Sequence, residues 1–336
     1  MINPKVAVVV LNFNGWRDTE KCLKKFLKST YKNYQIYLIN NGSKDESVEK
    51  LDKFKDKKIT FHKEPINHGF AGGVNIGIKW AIKNDFDRVA LLNNDAQVEP
   101  DWLEKLISSM KKTKASVVTG LLLSADGKKI DDAGDVYTTW GVPLLRNEHE
   151  PAKNAPESGF IFGATGGAVL FNINLFKEIG LFDEKFFAYN EDVDISWRTQ
   201  LSGHKIWYEK SAVAYHKHSA TSKKMPGFTT HQVFKNLPLV LWKNVPKGMF
   251  LSTAFKLFLA EFLLLGHKIL NGEARPAFKG IFKSWSLLPY ALKERKRIQK
   301  TKTVTNEYLK SIIYKGLPMK SVQRLRNFFG LKPKKW

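Results

Sequence analysis

The stretch from Arg88 to Trp102, RVALLNNDAQVEPDW, decides the fold. Its apolar run Val89–Leu92 is typical of a strand buried on both faces, and the run stops at the polar triplet Asn93 to Asp95. An amphipathic helix then opens at Pro100. Open α/β sheets place their ligand chemistry at the carboxyl ends of such strands. We therefore predict that Asp95 is a metal or phosphate-side residue, with a simple Asn-rich turn as the alternative.

Strands and helices alternate along the first two hundred residues. The hydrophobic periodicity predicts strands at 6–11, 37–39, 59–62, 89–92 and 116–123, with helices at 17–27, 47–54, 71–82 and from Trp102 onward. This rhythm predicts an α/β fold with a mostly parallel sheet and helices on both faces. Further along, we predict hairpins or a functional loop at 126–157, helices at 175–179 and 191–201, and strands at 205–208 and 212–215.

The charge of the chain is concentrated in its last third. The 336 residues include 55 Lys and Arg and 32 Asp and Glu, for a net charge of +23, of which residues 201–336 carry +22. Such asymmetry indicates a polyanionic partner, either an anionic membrane surface or a nucleic acid, or a solvated basic face with no partner. Because no aromatic and basic recognition module is visible, we predict a membrane surface and no nucleic acid.

The basic part of the chain forms a region of its own. A polar, basic segment at 219–228 divides the α/β domain, residues 1–222, from a basic, amphipathic helical region, residues 223–336. Within that region Met249–Leu265 is apolar but interrupted by Lys256 and Glu261, which would be costly inside a bilayer. We predict a helix that lies in the membrane interface; a buried core helix and a spanning helix are the alternatives.

Two features indicate the compartment. Cys22 is the single cysteine, so no disulfide can form within the chain, and a reducing environment fits. The apolar run Val6–Leu11 is too short for a signal peptide and is typical of a first strand. We predict a peripheral protein at the cytoplasmic face of the cell membrane.

Further polar clusters follow other predicted strands. Asn12 and Asn14 come directly after the first strand, and Asn40 comes after the second. Either cluster alone is typical of a turn, but their shared place at strand carboxyl ends favours a nucleotide site. A glycine-rich segment, Asn67–Gly77, opens the third helix and suits a diphosphate, although its spacing is neither a GxGxxG nor a Walker loop.

An acidic cluster and a histidine complete the candidates. Asp192 is the best candidate for a general base and Glu191 the next, with helix capping as the alternative. His216 lies just past a strand; beside Asp95 it would make a plausible ligand set for Mg²⁺ or Mn²⁺.

Seven of these segments, in this order, resemble family 2 glycosyltransferases of the bacterial rhamnosyltransferase-like branch. They are VVVLNFNG (8–15), NNGSKDES (40–47), NHGFAGGVNIG (67–77), LLNNDAQVEP (91–100), FGATGGAVLF (162–171), GLFDEKFFAYNEDVDISWR (180–198) and YHKHSAT (215–221). The resemblance covers about residues 4–222. It implies a GT-A fold, a nucleotide-diphosphate sugar donor, a divalent metal ion and an inverting transfer.

The resemblance also implies roles for individual residues. Asp95 falls on the metal-binding carboxylate of the family's DxD motif, Asp192 on the general base and His216 on a later metal-binding histidine. The nucleotide-sugar side would comprise Asn12, Asn14, Asn40, Asn67, Gly69, Phe70, Ala71, Asn75, Asn93 and Asn94. The acceptor side would comprise Gly166, Gly167, Trp197 and Arg198.

Two positions depart from the family pattern. Asn40 stands where the family usually has the aspartate that accepts from the N3–H of a pyrimidine; an amide still accepts a hydrogen bond there, but without charge. Asn93 stands at the first position of the DxD motif, which leaves Asp95 as the only carboxylate of the triplet.

These features together predict a membrane-associated inverting glycosyltransferase. It would move a sugar, with rhamnose as the suggested example, to a hydroxyl of a glycan or polyprenyl-diphosphate-linked acceptor in cell-surface polysaccharide synthesis. The alternative is a non-catalytic module on the same fold that binds a sugar nucleotide or a glycan.

Overall fold

A single large sheet organises the protein, whose computed structural model describes residues 3–217 and 225–316. The sheet order is β10-β12-β6-β11-β4-β1-β2-β3, with β5 paired to β12 and β7 to β6, while β8 and β9 form a separate hairpin. The strands are β1 Val6–Asn12, β2 Tyr34–Asn41, β3 Ile59–Glu64, β4 Arg88–Asn93, β5 Ala96–Val98, β6 Val117–Ser124, β7 Ile130–Asp132, β8 Asp135–Tyr137, β9 Pro143–Leu145, β10 Gly159–Ile161, β11 Ala168–Asn172 and β12 Ile206–His216.

Helices cover both faces of this sheet and continue beyond it. They are α1 Trp16–Phe26, α2 Ser47–Asp52, α3 Gly69–Lys83, α4 Trp102–Thr113, α5 Ile173–Ile179, α6 Glu191–Leu201, α7 Phe228–Asn244, α8 Lys247–Leu270, α9 Ala274–Ser286, α10 Leu288–Lys300 and α11 Asn306–Ile312. One buried cluster lies between the sheet and α3, α5 and α6, and another between the sheet and α1 and α4. The predicted α/β class and mostly parallel sheet are confirmed.

Burial on both faces explains why the inner strands are continuous apolar runs. Val6 to Val10 are all at most 1% exposed, because β1 is paired in parallel on both sides, with β2 and β4, and helices cover both of its faces. The two strands predicted at 205–208 and 212–215 are one strand, β12, with an irregularity between Glu209 and Val213. Periodicity alone could not distinguish a bulge from a turn at this point.

The polar span 126–157 contains the predicted hairpin, formed by β8 and β9. It also contributes β7 to the sheet, and its acidic residues Asp132 and Asp135 are 2% and 4% exposed. The hairpin end contacts the segment that follows α11, since Thr139 N donates to Tyr314 O at 2.9 Å. This span is therefore a packed part of the protein.

The basic region beyond residue 223 is helical as far as it is described, through residue 316. The predicted boundary at residue 222 and the basic end at 332–336 lie outside the described residues. Helix α8 is the one helix of the described chain that is long and apolar enough to cross a membrane, by length and composition alone. Buried side chains of α7, including Leu239 and Leu241, pack in one cluster with Val193 and Trp197 of α6, so the helical region is attached to the helix that carries Asp192.

Candidate active site

The carboxyl ends of β1, β2, β4 and β12 meet at one edge of the sheet. These four strands run parallel, because β12 pairs in parallel with β6, and β11 is antiparallel to both β6 and β4. Their last residues are Asn12, Asn41, Asn93 and His216. The sheet thus collects polar residues that are far apart in sequence at one ligand-binding edge.

The amide side chains of Asn12 and Asn40 are bonded to each other. Asn12 Nδ2 donates to Asn40 Oδ1 at 3.1 Å and to Ser43 Oγ at 3.1 Å. Asn12 and Asn40 are at most 1% exposed. Asn14 Oδ1 accepts from Lys44 N at 2.7 Å. These hydrogen bonds hold the two strand-end turns together. A nucleobase that donates a hydrogen bond to Asn40 would therefore have to reach the remaining lone pair of its buried Oδ1.

Asn41 organises the glycine-rich segment at the start of α3. Its Nδ2 donates to Asn67 Oδ1 and to Gly69 O, both at 3.0 Å, and its Oδ1 accepts from His68 N. Gly69 has φ +71°, and a Cβ there would lie 2.3 Å from Phe187 O, so only glycine fits. Ala71 N donates to the same oxygen of Phe187 at 3.2 Å. The segment is therefore fixed to the loop that precedes α6.

The structure brings Phe70 of this segment against the Gly166–Gly167 dipeptide. A Cβ on Gly166 would lie 2.8 Å from the ring of Phe70, so the ring rests on this glycine. Asn75 lies elsewhere, because Nδ2 donates to Phe182 O at 2.8 Å and Oδ1 accepts from Phe182 N at 3.1 Å. The nucleotide-side placement of Asn75 is thus corrected: its amide is occupied in holding the 182–184 segment.

The Gly166–Gly167 dipeptide joins the two candidate reactive centres. Gly167 O accepts from Asn93 N at 2.8 Å, at the start of the triplet that contains Asp95. Gly166 N donates to Asp192 Oδ2 at 3.4 Å. The triplet and the base candidate are therefore neighbours across one short stretch of chain.

Asn94 and Asp95 point in different directions from the triplet. Asn94 Nδ2 donates to Thr19 Oγ1 at 3.0 Å, which ties the triplet to α1. Asp95 Oδ1 lies 3.1 Å from His216 Nε2, and both side chains are about nine-tenths buried, at 12% and 11% exposure. The predicted pairing of Asp95 with His216 is therefore present in the fold.

Asp131 is a partner of His216 that sequence reasoning missed. Its Oδ2 lies 2.8 Å from His216 Nδ1, so the imidazole is held between two carboxylates. Burial opposes the charged ring, but the bonds from Asp131 and Asp95 prevail and raise the pKa of His216 to about 9. No group of three or more His, Cys, Asp or Glu in metal-holding geometry occurs within 3–217 and 225–316. A metal ion here would take Asp95 and His216 as protein ligands and need further oxygen ligands.

Asp192 differs in one respect from every other residue of its helix. Among the eleven residues of α6, all of which are described, it alone is partly exposed. Its Oδ1 accepts from Val193 N at 2.8 Å. Burial raises the pKa of Asp192, and hydrogen bonds from Val193 and Gly166 oppose that shift. Glu191 is 5% exposed. A substrate could thus reach Asp192 but not Glu191.

Further buried carboxylates stand behind Asp192. Burial, followed by the charges of neighbouring carboxylates, raises the pKa of Asp135 well above its ordinary range. Burial likewise raises the pKa of Asp132 to about 7. The sequence did contain a signal for this cluster. The segment IDDAGD at 130–135 has three acidic residues within five positions, in the part of the chain that is nearly neutral overall.

The loop before Asp192 is strained and is held by α7. Phe187, Tyr189 and Asn190 have φ of 63°, 69° and 66°, a region that costs roughly 1–3 kcal/mol for residues other than glycine. Asn236 Nδ2, fully buried, donates to the main-chain oxygens of Phe186, Ala188 and Tyr189 at 3.1, 2.9 and 2.6 Å. Helix α7 therefore fixes the approach to the catalytic helix.

Replacing Asn236 with alanine should test this contact. We expect kcat to fall by roughly 10-fold or more, since unsatisfied carbonyls cost about 1–3 kcal/mol and would let the loop shift. Asn84→Ala is the matched control, because Asn84 Nδ2 also donates to a main-chain oxygen, at 2.8 Å, but from an exposed helix end. Equal kcat values in the two variants would contradict a role for Asn236 in positioning the loop.

Two acceptor-side placements are corrected by burial. Trp197 is 0% exposed, with its ring 4.9 Å from Tyr137 and 5.1 Å from Phe162, so it is a core residue. Arg198, 3% exposed, donates to Asp194 and to the main-chain oxygens of residues 179–181. The spacing of Asp194 and Arg198, four residues apart on a helix, was a sequence signal for this internal pair.

A mostly parallel α/β sheet with amides, an Asp–His pair and a reachable carboxylate at its carboxyl edge is the arrangement of the GT-A fold. The model of glycosyl transferase family 2 matches residues 7–180, about half of the chain. The chain belongs to glycosyltransferase family 2. The predicted enzyme class, a glycosyltransferase, is thus confirmed.

Relatives and solved structures agree with this family. An uncharacterized glycosyltransferase of Haemophilus influenzae is 24% identical over 70% of this chain and 72% of its own length. The low-salt glycan biosynthesis hexosyltransferase Agl10 of Haloferax volcanii is 24% identical over 58% of this chain and 61% of its own length. The mannosyltransferase PcManGT of Pyrobaculum calidifontis, solved with GDP-Man and Mn²⁺, has a TM-score of 0.55, 13% identity and coverage of 89% and 88%. That last likeness concerns the fold alone.

Proposed function

We propose that this protein is a metal-dependent inverting glycosyltransferase that moves a sugar from a nucleotide-diphosphate donor to a hydroxyl of a glycan or a polyprenyl-diphosphate-linked acceptor. The observation that carries the proposal is the Gly166–Gly167 dipeptide, hydrogen-bonded on one side to Asn93 and on the other to Asp192. It sets the diphosphate-side triplet next to a base. A binding module would not need a reachable carboxylate at that point.

Asp192 would act as the general base. It accepts the proton of the acceptor hydroxyl while that oxygen attacks the anomeric carbon, and the bond from this carbon to the diphosphate breaks on the opposite side. The new glycosidic bond therefore has inverted configuration. The raised pKa of Asp192 suits proton acceptance near neutral pH better than an ordinary aspartate would.

The residues at the Asp95 edge fit a divalent ion. A carboxylate and an imidazole are ligands that Mn²⁺ accepts, and Mg²⁺ commonly takes one or two carboxylates plus substrate phosphates. When bound, the ion would neutralise charge that develops on the leaving diphosphate. Asp131 would hold the Nδ1 side of His216 and leave Nε2 for the metal.

The sugar and the acceptor are the finer part of the proposal. Rhamnose is the sugar to test first, because the motifs resemble the rhamnosyltransferase-like branch. Neither of the two relatives described above is named a rhamnosyltransferase, so this choice stays a prediction. We also propose a peripheral location at the cytoplasmic face of the cell membrane, which the basic helical region supports and where a lipid-linked acceptor would be found.

Removing the metal ligand tests the proposal. The purified full chain is assayed with UDP-, dTDP- and GDP-sugars, with and without Mn²⁺, and we expect turnover of one donor class that EDTA abolishes. In Asp95→Asn, Mn²⁺ affinity, measured from free Mn²⁺ by electron paramagnetic resonance, should fall by roughly 10-fold or more.

The control for this test is Asp126→Asn, because Asp126 lies in a turn of the 126–157 span and accepts hydrogen bonds from its local neighbours Ser124 and Lys128. Wild-type Mn²⁺ affinity in Asp95→Asn would contradict the metal site. Absence of turnover with every donor, in the presence of Mn²⁺ and lipid-linked acceptors, would contradict the proposed reaction.

A further inference from the structure

Helices α8 and α9 expose an apolar surface. On α8 it consists of Leu251, Phe255, Phe258 and Phe262, which are 81%, 66%, 65% and 67% exposed, and on α9 of Phe282 and Trp285, 71% and 61% exposed. We call these six residues the α8–α9 apolar surface. Five aromatic rings and a leucine on three turns of α8 and on the neighbouring α9 exceed the scattered apolar exposure that is normal for a soluble surface.

The opposite side of α8 is attached to the catalytic domain. Thr253 and Leu257 are 4% and 2% exposed, and a Cβ on Gly141 of the β8–β9 hairpin would lie 3.4 and 3.1 Å from them. At 100° per residue, Phe255, Phe258 and Phe262 point away from this contact. The first half of α8 is therefore held to the folded domain along one side, which favours an arrangement in which α8 offers lipid its other side.

The two charged residues within α8 lie off the exposed arc. Lys256 and Glu261 are each only partly exposed. Glu261 Oε1 is shielded from solvent and has no hydrogen-bond partner among the described residues. The charges that make α8 a poor spanning segment therefore do not interrupt its apolar side.

Basic side chains accompany the apolar surface. Residues 247–300 contain eleven Lys and Arg and three Asp and Glu. On α9, Lys279 and Lys283 are exposed beside the aromatic residues, while Ala277, Gly280 and Ser284 are buried against the protein. Apolar and basic stripes side by side are the pattern of helices that lie at an anionic membrane interface.

The positive charge of this region also indicates which partner binds the α8–α9 apolar surface. A second copy of the chain would bring two strongly basic regions together, which like-charge repulsion disfavours. An anionic bilayer offers both a negative headgroup layer and a hydrocarbon layer beneath it. Burying one Phe side chain contributes about 1.5–3 kcal/mol, equivalent to roughly 10- to 150-fold in partition.

We propose that the α8–α9 apolar surface docks on an anionic phospholipid bilayer, with α8 lying in the plane of the membrane and the catalytic domain on the aqueous side. This inference rests on the proposed membrane location and is independent of the transfer reaction. The six side chains of this surface would contact the bilayer, and α8 would lie in the plane of the membrane instead of crossing it.

Vesicle binding by the full chain tests the proposal. The protein is sedimented with vesicles of phosphatidylcholine alone and with vesicles that also contain phosphatidylglycerol. We expect strong binding to the mixed vesicles only, and a loss of roughly 1,000-fold or more when Phe255, Phe258 and Phe262 are together replaced by serine. Phe160→Ser is the matched control, because Phe160 is 58% exposed on β10, outside this surface.

Three further measurements complete the test. Lys279→Gln with Lys283→Gln should weaken binding and its salt dependence, and Lys24→Gln, an exposed lysine of α1, should not. Alkaline carbonate should release the bound protein, as an in-plane helix allows. Sedimentation equilibrium should show the same mass for wild type and triple variant. Unchanged binding in the triple variant, carbonate resistance, or self-association that the triple variant loses would each overturn the proposal.

Failure of the membrane proposal can be separated from failure of the reaction. Transfer to a soluble acceptor analogue is assayed in the same preparations without vesicles. Because the six side chains lie outside the site at the sheet edge, the triple variant should keep wild-type turnover in that assay. Turnover without vesicle binding contradicts only the docking surface, whereas binding without turnover contradicts only the reaction.

Discussion

Replacing Asp192 with asparagine is expected to lower kcat by about 10²–10⁴, the usual contribution of a positioned base. The substitution keeps the shape of the side chain but leaves one acceptor oxygen in place of two, so the side chain can still accept from Val193 N or from Gly166 N but not from both. We expect donor binding to change much less than kcat. Nucleotide binding by calorimetry and kcat with saturating donor and acceptor would separate the two effects. Full transfer in this variant would exclude Asp192 as the base.

Glu191→Gln is the matched control for that experiment. Glu191 is 5% exposed, and burial raises its pKa well above the ordinary value, so an uncharged amide of nearly the same shape should be tolerated there. We expect a much smaller fall in kcat than for Asp192→Asn. The opposite order of the two effects would assign the base to Glu191 and contradict the role argued from exposure.

The contrast between Asp192 and Glu191 shows which features of the site can be predicted from the sequence and which cannot. Both acids open the same predicted helix, and the order of the motifs favoured Asp192. The reason is visible only in three dimensions, because exposure depends on how α7 and the segment 130–135 cover the other side of α6. The same is true of His216, whose pairing with Asp95 was predicted from the two strand ends while its contact with Asp131 was not.

Residues with purely tertiary roles could not be predicted in this way. Asn236 donates to carbonyls 47 to 50 positions away, and no local pattern marks such a contact. Asn75 belongs to the glycine-rich segment, yet its amide is bonded to Phe182, 107 positions away. Local sequence reasoning placed it with its neighbours on the nucleotide side, and tertiary hydrogen bonding decided otherwise.

A buried network of charged and amide side chains attaches α7 to α6. Lys243 of α7, 1% exposed, lies with Nζ 2.7 Å from Asp194 Oδ1 and also contacts Asp183. Asp194, 0% exposed, in turn binds Arg198 at 2.9 Å and accepts from Asn244 Nδ2 at 2.8 Å. This buried network joins the helical region to the segment that carries the base, so the helical region supports the active site as well as any membrane contact.

Lys243→Met is accordingly expected to lower the free energy of unfolding by about 3–5 kcal/mol, because it leaves two buried carboxylates without their ammonium partner. Lys210→Met is the matched control, since Lys210 forms a 2.6 Å ion pair with Glu157 at 39% and 87% exposure. Such an exposed pair contributes about 0–1 kcal/mol. Urea unfolding of both variants measures the difference, and equal losses would mean that the buried network does not secure α7.

The pH dependence of the free energy of unfolding provides a second test of the role of Lys243. Burial opposes the charge of Asp194, but Lys243 and Arg198 outweigh it and lower the pKa to about 2, against an ordinary value of 3.8. A carboxyl whose pKa is lower when folded contributes stability that is present above about pH 4 and is lost as the pH falls towards 2. In Lys243→Met the folded pKa should rise, so the free energy of unfolding should fall less steeply between pH 4 and pH 2 than in wild type. An unchanged slope would mean that Arg198 alone holds Asp194 ionised and that Lys243 acts only by filling space.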